Sequence, residues 1–264
     1  VRILDATNGN VITTIEGTEY AREILADSGV VVALVKPPQA DQAARRGEEA
    51  LDAPHLIAFD GKTGEIMWKL QVGKIADMQL AIDGGRVIFQ SSGTLTALDL
   101  ETGKNLWNAK MKGGGATLIA IDETIVSGSG GGTIAAYDAK DGAQLWSKKG
   151  LPVNGFEKND LFVIDGLVWQ GASGSPSTKV RGLDLRTGEV KREIYAKEMR
   201  SPEHHHRCYR NKATERFLLT GRRGVAFIDL AANSVASHYW VRGTCNYGVL
   251  PCNGLLYVPP DACS

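Results

Sequence analysis

Three stretches of this chain superimpose without a gap: LIAFDGKTGEIMW (Leu56–Trp68), LTALDLETGKNLW (Leu95–Trp107) and IAAYDAKDGAQLW (Ile134–Trp146). Each has an aspartate eight residues before its tryptophan, and the aspartates recur every 39 residues, at Asp60, Asp99 and Asp138. Weaker copies surround Asp5, Asp184 and Asp229. A fixed period of about 40 residues is typical of repeat architectures.

Each copy predicts a β-hairpin, in which two short strands flank a turn of the Asp-x-x-Thr-Gly kind. The aspartate carboxylate is expected to accept N–H groups of the turn, and the glycines Gly64, Gly103 and Gly142 to adopt positive φ. A second apolar strand pair precedes each hairpin, as in MQLAIDGGRVIFQ (Met78–Gln90). Four strands per repeat predict an all-β fold, a β-propeller of four-stranded antiparallel blades.

Two segments depart from the regular period. YAREILADSG (Tyr20–Gly29) has the pattern of an amphipathic helix, but it occupies the place of a strand in later repeats, so we predict a strand. Residues 39–54 have no counterpart and are predicted to form a surface insertion in one propeller domain spanning residues 1–264. The last strands, in NGLLYVPPDACS, lack a hairpin that the first segment could supply, which predicts six blades closed by the termini. The alternative is a segment of a longer protein with seven or eight blades.

Composition excludes several classes of partner. The chain has 30 basic and 30 acidic side chains and no net charge, so no general attraction to nucleic acid is expected. It contains no run of about 18 apolar residues, so no transmembrane segment is predicted. It also lacks a signal-peptide pattern and an initial methionine, from which we expect a mature chain or an excised piece with flanking domains.

The repeat unit resembles the pyrroloquinoline quinone (PQQ) repeat of bacterial β-propellers, and the resemblance covers nearly the whole chain. That superfamily includes PQQ- and calcium-binding alcohol dehydrogenases as well as non-catalytic propellers such as an outer-membrane assembly lipoprotein. The segments HHHRCYRNKATERF and RGTCNYGVLPCNGLLYVPPDAC resemble a group of large, multidomain PQQ-like repeat proteins. For that group the resemblance implies a fold and no particular reaction. The tryptophans Trp68, Trp107 and Trp146 are expected to pack between adjacent blades.

PQQ-dependent catalysis would require arginines for the cofactor's carboxylates, an aromatic floor, oxygen ligands for calcium and a carboxylate base. The enzymes that the chain resembles also have an adjacent Cys-Cys pair and eight repeats, whereas this sequence has neither. We therefore predict no catalytic residue and no cofactor, with PQQ or a transition metal as the alternative.

Cysteine and histidine are concentrated near the C-terminus. If HHHRC is a strand, His204, His206 and Cys208 lie on one face and could bind zinc or copper. The competing interpretation is disulfide bonds among Cys208, Cys245, Cys252 and Cys263. Four cysteines allow three connectivities; Cys208 with Cys245 is preferred, and Cys252 with Cys263 would then be a possible second pair.

Repeat alignment also predicts a ligand site at the mouth of the central channel, formed by His204, His206, Arg210, Asn246 and Tyr247. Three functions follow from these patterns. The first is a non-catalytic scaffold or binding domain of a periplasmic or extracellular protein. The second is a PQQ- or metal-dependent redox enzyme. The third is a purely structural propeller whose partners bind the insertion at residues 39–54.

Overall fold

All regular secondary structure in the residues that the structure describes is β-strand. The computed structural model describes residues 1–37, 53–111, 115–130, 132–151, 160–170, 179–196, 209–221, 224–244 and 247–259. No helix occurs in these ranges, so no described segment has the helical length and hydrophobicity that a membrane span needs. The all-β prediction is confirmed.

The described residues form the following strands, in chain order. They are β1 (Arg2–Leu4), β2 (Val11–Thr14), β3 (Ala21–Asp27), β4 (Val30–Val35), β5 (His55–Asp60), β6 (Ile66–Gln71), β7 (Ile75–Asp83), β8 (Arg86–Ser91), β9 (Thr94–Asp99), β10 (Asn105–Lys110), β11 (Gly115–Ile121), β12 (Thr124–Ser129), β13 (Thr133–Asp138), β14 (Gln144–Lys149), β15 (Leu161–Ile164), β16 (Leu167–Gln170), β17 (Lys179–Asp184), β18 (Val190–Tyr195), β19 (Lys212–Ala213), β20 (Phe217–Gly221), β21 (Val225–Asp229), β22 (Ser234–His238), β23 (Leu250–Cys252) and β24 (Leu255–Tyr257).

Five four-stranded sheets form in chain order, and we number them sheets 1 to 5: β3–β6, β7–β10, β11–β14, β15–β18 and β19–β22. Two further pairs form two-stranded sheets, the N-terminal hairpin β1–β2 and the C-terminal hairpin β23–β24. The second and third strands of each four-stranded sheet are largely buried, as in β5, whereas the fourth strand is mostly exposed, as in β6. This explains why the third strand is an apolar run and the fourth alternates with polar residues.

Each repeat aspartate organises the turn between the third and fourth strands. Asp60 Oδ1 accepts the N–H groups of Lys62 and Thr63 at 2.8 and 2.7 Å, and Gly64 N–H donates to the Asp60 carbonyl at 2.9 Å. Gly64 has a φ of 77°. The hydrogen bonds lower the pKa of Asp60, the Thr63 N–H contributing most. The carboxylate therefore accepts hydrogen bonds from turn N–H groups that have no partner on a neighbouring strand and would otherwise bind water.

The repeat tryptophan docks on the turn of the following sheet. In each case the indole Nε1 donates to the carbonyl oxygen of the residue after the next aspartate: Trp68 to Leu100 at 2.9 Å, Trp107 to Ala139 at 3.0 Å and Trp146 to Leu185 at 3.0 Å. The ring also covers the turn glycine so closely that a Cβ on Gly103 would lie 2.7 Å from Trp68 Cδ2. Glycine is therefore required both for its positive φ and for the space the indole occupies.

Two of the weaker copies have other residues at the tryptophan position that still contact the turn of a neighbouring sheet. Arg192 stands where the earlier copies have tryptophan, and its Nη2 donates to the Leu230 carbonyl and to Asn233 Oδ1. Asn233 replaces the turn glycine and has a φ of 52°, a conformation that asparagine tolerates better than most residues. At the N-terminal hairpin, Thr13 takes the tryptophan position and packs on Gly64.

The described contacts fall into two compact units. One comprises Val1–Ile125 with Asp138–Ala143 and the other Val126–Tyr137 with Gln144–Ser264, so the division passes through sheet 3. In the first unit, β4 and β5 of sheet 1 pack on β8 and β9 of sheet 2 through Val32, Ala58, Val87 and Leu98. In the second, Trp169 and Val180 of sheet 4 share a core with Leu218 and Ile228 of sheet 5. The prediction of one domain over residues 1–264 stays a prediction.

The strand predicted within Tyr20–Gly29 is confirmed as β3. Nearly all of the insertion predicted at residues 39–54 lies outside the described residues. The structure has β1–β2 and β23–β24 as separate two-stranded sheets, so the sixth blade and the number of blades stay predictions.

We predict that Gly103→Ala is much more destabilising than Gly166→Ala. Both glycines have a φ of 68°, but the new Cβ would meet Trp68 only at position 103 and nothing within 4 Å at position 166. The strained φ alone should cost about 1–2 kcal/mol, and the displaced indole about 1–3 kcal/mol more. Urea unfolding monitored by tryptophan fluorescence measures both. Equal losses would show that the contact between Trp68 and the turn does not limit stability.

Candidate functional site

The predicted channel site is only partly covered by the described residues. His204, His206, Cys208 and Asn246 lie outside them, so both the metal-binding hypothesis and most of the ligand hypothesis stay predictions. No group of three potential metal ligands occurs in the part of the chain that the structure describes. The structure does describe the other two predicted ligand residues, Arg210 and Tyr247.

Arg210 is held in an ion pair that joins sheets 4 and 5. Its Nη1 donates to Asp160 Oδ1 at 2.6 Å, and the other carboxylate oxygen accepts the Asn211 N–H at 2.8 Å. Only 6% of the Asp160 side chain and 21% of the Arg210 side chain are exposed. Asp160 precedes β15 and Arg210 precedes β19, so the pair links the first strands of two successive sheets.

Tyr247 and Cys252 lie at the C-terminal hairpin. Tyr247 precedes β23 and is 77% exposed, and no described contact brings it to Arg210. Cys252 ends β23 as an exposed free thiol, so a disulfide with Cys263 is not confirmed. Cys208, Cys245 and Cys263 lie outside the described residues, and the pairing of Cys208 with Cys245 stays a prediction.

A feature that the sequence analysis missed lies on β7. The pairing of β7 with β8 is interrupted between Ile75 and Leu80, and Met78 within this bulge has a φ of 62°. Its N–H donates to Glu23 Oε1 of sheet 1, and the adjacent Gln79 accepts the Gly115 N–H of sheet 3 at 3.2 Å. The bulge thus ties the first strands of three sheets together.

A cavity of about 540 Å³ opens between sheet 5 and the C-terminal hairpin. Phe217 and Phe227 line it from sheet 5, with ring centroids 6.0 Å apart in edge-to-face geometry. Pro251, Leu255 and Leu256 line it from the hairpin, beside Cys252. Its volume lies in the range of known ligand sites, so the cavity is a candidate binding site.

The cavity follows from two departures from the repeat at sheet 5. The position two residues before the repeat aspartate is alanine in sheets 1 to 3 and glycine in sheet 4, but Phe227 in sheet 5. The position eight residues after that aspartate, which carries the tryptophan in sheets 1 to 3, is Ser237. Sheet 5 therefore presents an aromatic surface to the hairpin and has no indole to dock on it. Aligning the repeats to find where the consensus fails would have located this site.

Arg216 stands at the rim of the cavity and is fixed by Asp229. Its Nε and Nη2 donate to Asp229 Oδ2 at 3.0 and 2.6 Å, and its guanidinium lies over the Phe217 ring, 5.1 Å from the centroid. Asp229 also accepts the N–H groups of Ala231 and Ala232. These contacts, that of Arg216 foremost, lower the pKa of Asp229 from 3.8 to about 2. One rim of the cavity is therefore held in place by its own ion pair.

The outward face of the C-terminal hairpin is apolar and exposed. Leu250 pairs with Tyr257 and Cys252 with Leu255, so all four side chains share one face. Leu250, Leu255 and Tyr257 are 57%, 61% and 50% exposed. The second strands of the five four-stranded sheets are predominantly buried, so β24 departs from them. This exposed apolar face is therefore a candidate interaction surface.

Comparison with known families identifies the fold. Residues 52–231 match the family described as outer membrane protein assembly factor BamB, which is more than half of the chain. The chain belongs to this family. Its PQQ-like repeats and its four-stranded sheets are those of a β-propeller, as predicted. No curated protein sequence matches the chain.

Solved structures agree on the fold. BamB from Moraxella catarrhalis is similar over 84% of this chain and 63% of that one, with 16% identity and a TM-score of 0.58. The computationally designed Ika8 protein is similar over 94% of this chain and 70% of that one, with 15% identity and a TM-score of 0.61. A europium-containing methanol dehydrogenase is similar over 83% and 51%, with 14% identity and a TM-score of 0.56. The chain thus spans less than two thirds of this BamB and about half of this dehydrogenase.

We expect Asp160→Asn to destabilise the fold by about 2–3 kcal/mol, because it removes the carboxylate charge that is paired with the largely buried guanidinium of Arg210. Asp165→Asn is the matched control, since Asp165 lies in the exposed turn after β15 with a φ of 52° that asparagine accepts. Chemical denaturation of the two variants measures the difference. Equal stability of the two variants would show that the ion pair between Asp160 and Arg210 does not stabilise the fold.

The Asp229→Asn variant should be less stable than the wild type at neutral pH but not in strong acid. A carboxylate whose pKa is lowered on folding stabilises the fold above its unfolded pKa, near 3.8, and loses this contribution as the pH falls to about 2. Denaturant midpoints at pH 7, 4 and about 2.5 measure the gap. Glu101→Gln, an exposed carboxylate, is the control. A gap that stays constant with pH would contradict the pairing with Arg216.

Proposed function

We propose that this chain is a non-catalytic propeller that serves as a protein-binding scaffold, and that the C-terminal hairpin is its binding surface. The observation that carries the proposal is the exposed apolar face formed by Leu250, Leu255 and Tyr257 next to a cavity lined by Phe217 and Phe227. Aromatic side chains grouped around a pocket are typical of the centre of a protein interface.

The charged groups beside this surface support binding over catalysis. Asp229 holds Arg216 through three hydrogen bonds and also caps its own turn, so both groups are committed to the fold. A general base needs a pKa near the working pH, whereas the pKa of Asp229 is about 2. The family match to the BamB assembly factor also supports a scaffold, and it supports a periplasmic or extracellular location.

Capture of partner proteins tests this proposal. The full chain is immobilised and exposed to an extracytoplasmic extract of the organism that encodes it, in parallel with the triple variant Leu250→Ser, Leu255→Ser, Tyr257→Ser. The wild type should retain a protein that the variant loses. The control variant Ile66→Ser, Leu106→Ser, Val190→Ser changes equally exposed residues on fourth strands and should retain that protein. Identical capture by all three proteins would contradict the proposal.

The alternative is a redox enzyme with PQQ or a transition metal. Arg210, the arginine predicted for the channel site, is paired with Asp160, while His204, His206 and Asn246 lie outside the described residues, so the PQQ hypothesis stays a prediction. We therefore derive no step through this cofactor. The metal hypothesis rests on His204, His206 and Cys208, which lie outside the described residues. Paired native and denaturing mass spectra of the unreduced chain test both ideas, since a stoichiometric mass lost on denaturation would favour the enzyme.

The third hypothesis places the partner surface on residues 39–54. Deleting that segment from the full chain separates it from the hairpin proposal, because only one of the two changes should abolish capture.

A further inference from the structure

We propose that two copies of this chain associate through β22, the fourth strand of sheet 5, with the two β22 strands paired antiparallel about a two-fold axis. The two copies of sheet 5 would then form one continuous sheet across the interface. This surface is distinct from the C-terminal hairpin, so the proposal goes beyond the scaffold function.

β22 is an edge strand because of its place in the repeat. In each of the five four-stranded sheets the fourth strand is the last, and among the described residues it pairs with the third strand alone. Sheet 5 has all four of its strands, so the edge position of β22 does not depend on where the chain begins or ends. One row of N–H and carbonyl groups along β22 therefore points away from β21. Such a row is a template for another strand unless the edge is protected.

The fourth strands of sheets 1 to 4 are protected in two ways. Each has a β-bulge, because its register with the third strand shifts by one residue. Each also carries lysine, namely Lys69 in β6, Lys110 in β10, Lys148 and Lys149 in β14, and Lys191 in β18. A bulge distorts the edge that another strand would have to match, and a charged side chain on an edge opposes pairing.

β22 has neither form of protection. Its residues Ser234–His238 pair with β21 one for one, without a shift in register. None of the five is lysine, arginine, aspartate, glutamate or proline. The same position in the repeat is protected in four sheets and unprotected in one, so the difference is specific to sheet 5. A regular edge without such residues is one that accepts another strand.

The residues of β22 fit a second copy of the same strand. With the two-fold axis at Ala236, antiparallel pairing places Ser234 of one copy opposite His238 of the other, and Val235 opposite Ser237. No opposed pair joins two acidic or two basic side chains, or two large side chains. The symmetric pairing therefore contains no repulsive cross-strand contact.

Two exposed aromatic side chains favour a second copy over a strand from another protein. Tyr239 and Trp240 directly follow β22 and are 58% and 82% exposed, and the Trp240 ring packs edge to face on His238 with centroids 5.8 Å apart. In the symmetric pair, His238 lies beside Ser234 of the other copy, so both aromatic residues come next to the turn that precedes Ser234. Two-fold symmetry covers this apolar area in both copies at once, whereas a single added strand covers it in one.

Sedimentation velocity of the full chain, from about 1 to about 200 µM, tests the proposal, because a short strand interface gives weak, micromolar association. The wild type should change reversibly from monomer to dimer across this range. Ala236→Lys should weaken dimerisation at least about 10-fold, because it sets two lysines opposite each other at the axis. Ser147→Lys changes an exposed residue of β14 and should dimerise like the wild type. Urea midpoints show whether both variants are folded.

Oxidative cross-linking tests the register independently. In Ala236→Cys the two introduced thiols lie opposite each other at the axis, within reach of a disulfide. Diamide accepts two electrons and two protons from them, and peptide mass mapping should find a disulfide that joins two copies of the β22 peptide. Ser147→Cys should give no such link between β14 peptides. The exposed thiol of Cys252 also reacts with diamide, so the mapped peptide, and not the dimer alone, is the result that counts.

Pairing through β22 would be overturned by a chain that stays monomeric up to about 200 µM. A dimer that persists in Ala236→Lys, or that is weakened equally by Ser147→Lys, would overturn it as well. So would a dimer in which Ala236→Cys forms no disulfide between β22 peptides. The scaffold function is tested separately, because a captured protein that only the triple hairpin variant loses would uphold it even if the chain stays monomeric.

Discussion

The contact on which the fold depends is the indole of one sheet resting on the turn of the next. Trp68, Trp107 and Trp146 each donate a hydrogen bond to a carbonyl that the turn leaves without a strand partner. The same rings occupy the space above a glycine. One side chain therefore satisfies a polar group, excludes a Cβ and fixes the spacing of two sheets. Because every link joins neighbouring repeats, stability is a sum of local interfaces and the sequence of each link can vary.

The weaker copies show how the residues of this link vary. Arg192 reaches the same carbonyl position as the tryptophans, and its turn has Asn233 in place of glycine. The Arg192 guanidinium also lies over the Trp169 ring of its own sheet. Sheet 5 carries Ser237 at the tryptophan position. The residue type of the link therefore varies from repeat to repeat.

Sequence predicted the repeated part of the fold well and the site poorly, for one physical reason. Asp60, Gly64 and Trp68 recur because a turn, a positive φ and a docking ring impose fixed residue types at fixed spacing, which a single sequence reveals. Histidine and cysteine attracted attention as potential ligands, yet residue type alone does not place them. The Arg210 ion pair depends on Asp160, fifty residues away, which no local pattern signals. The cavity arises from residues that depart from the repeat, and the repeat consensus therefore does not signal them.

The C-terminal hairpin shows why such a departure matters. Phe227 is larger than the alanines and glycine of the preceding sheets, so a following sheet could not pack on it in the same way. Instead, the rings of Phe217 and Phe227 face an opening, and the hairpin beyond it leaves leucine and tyrosine exposed. Exposed apolar area of this extent is unfavourable in water, at roughly 25 cal/mol per Å². Apolar side chains that are not buried in the chain's own core can be buried against a partner. The same departure from the repeat therefore produces the exposed apolar surface on which the proposed scaffold function depends.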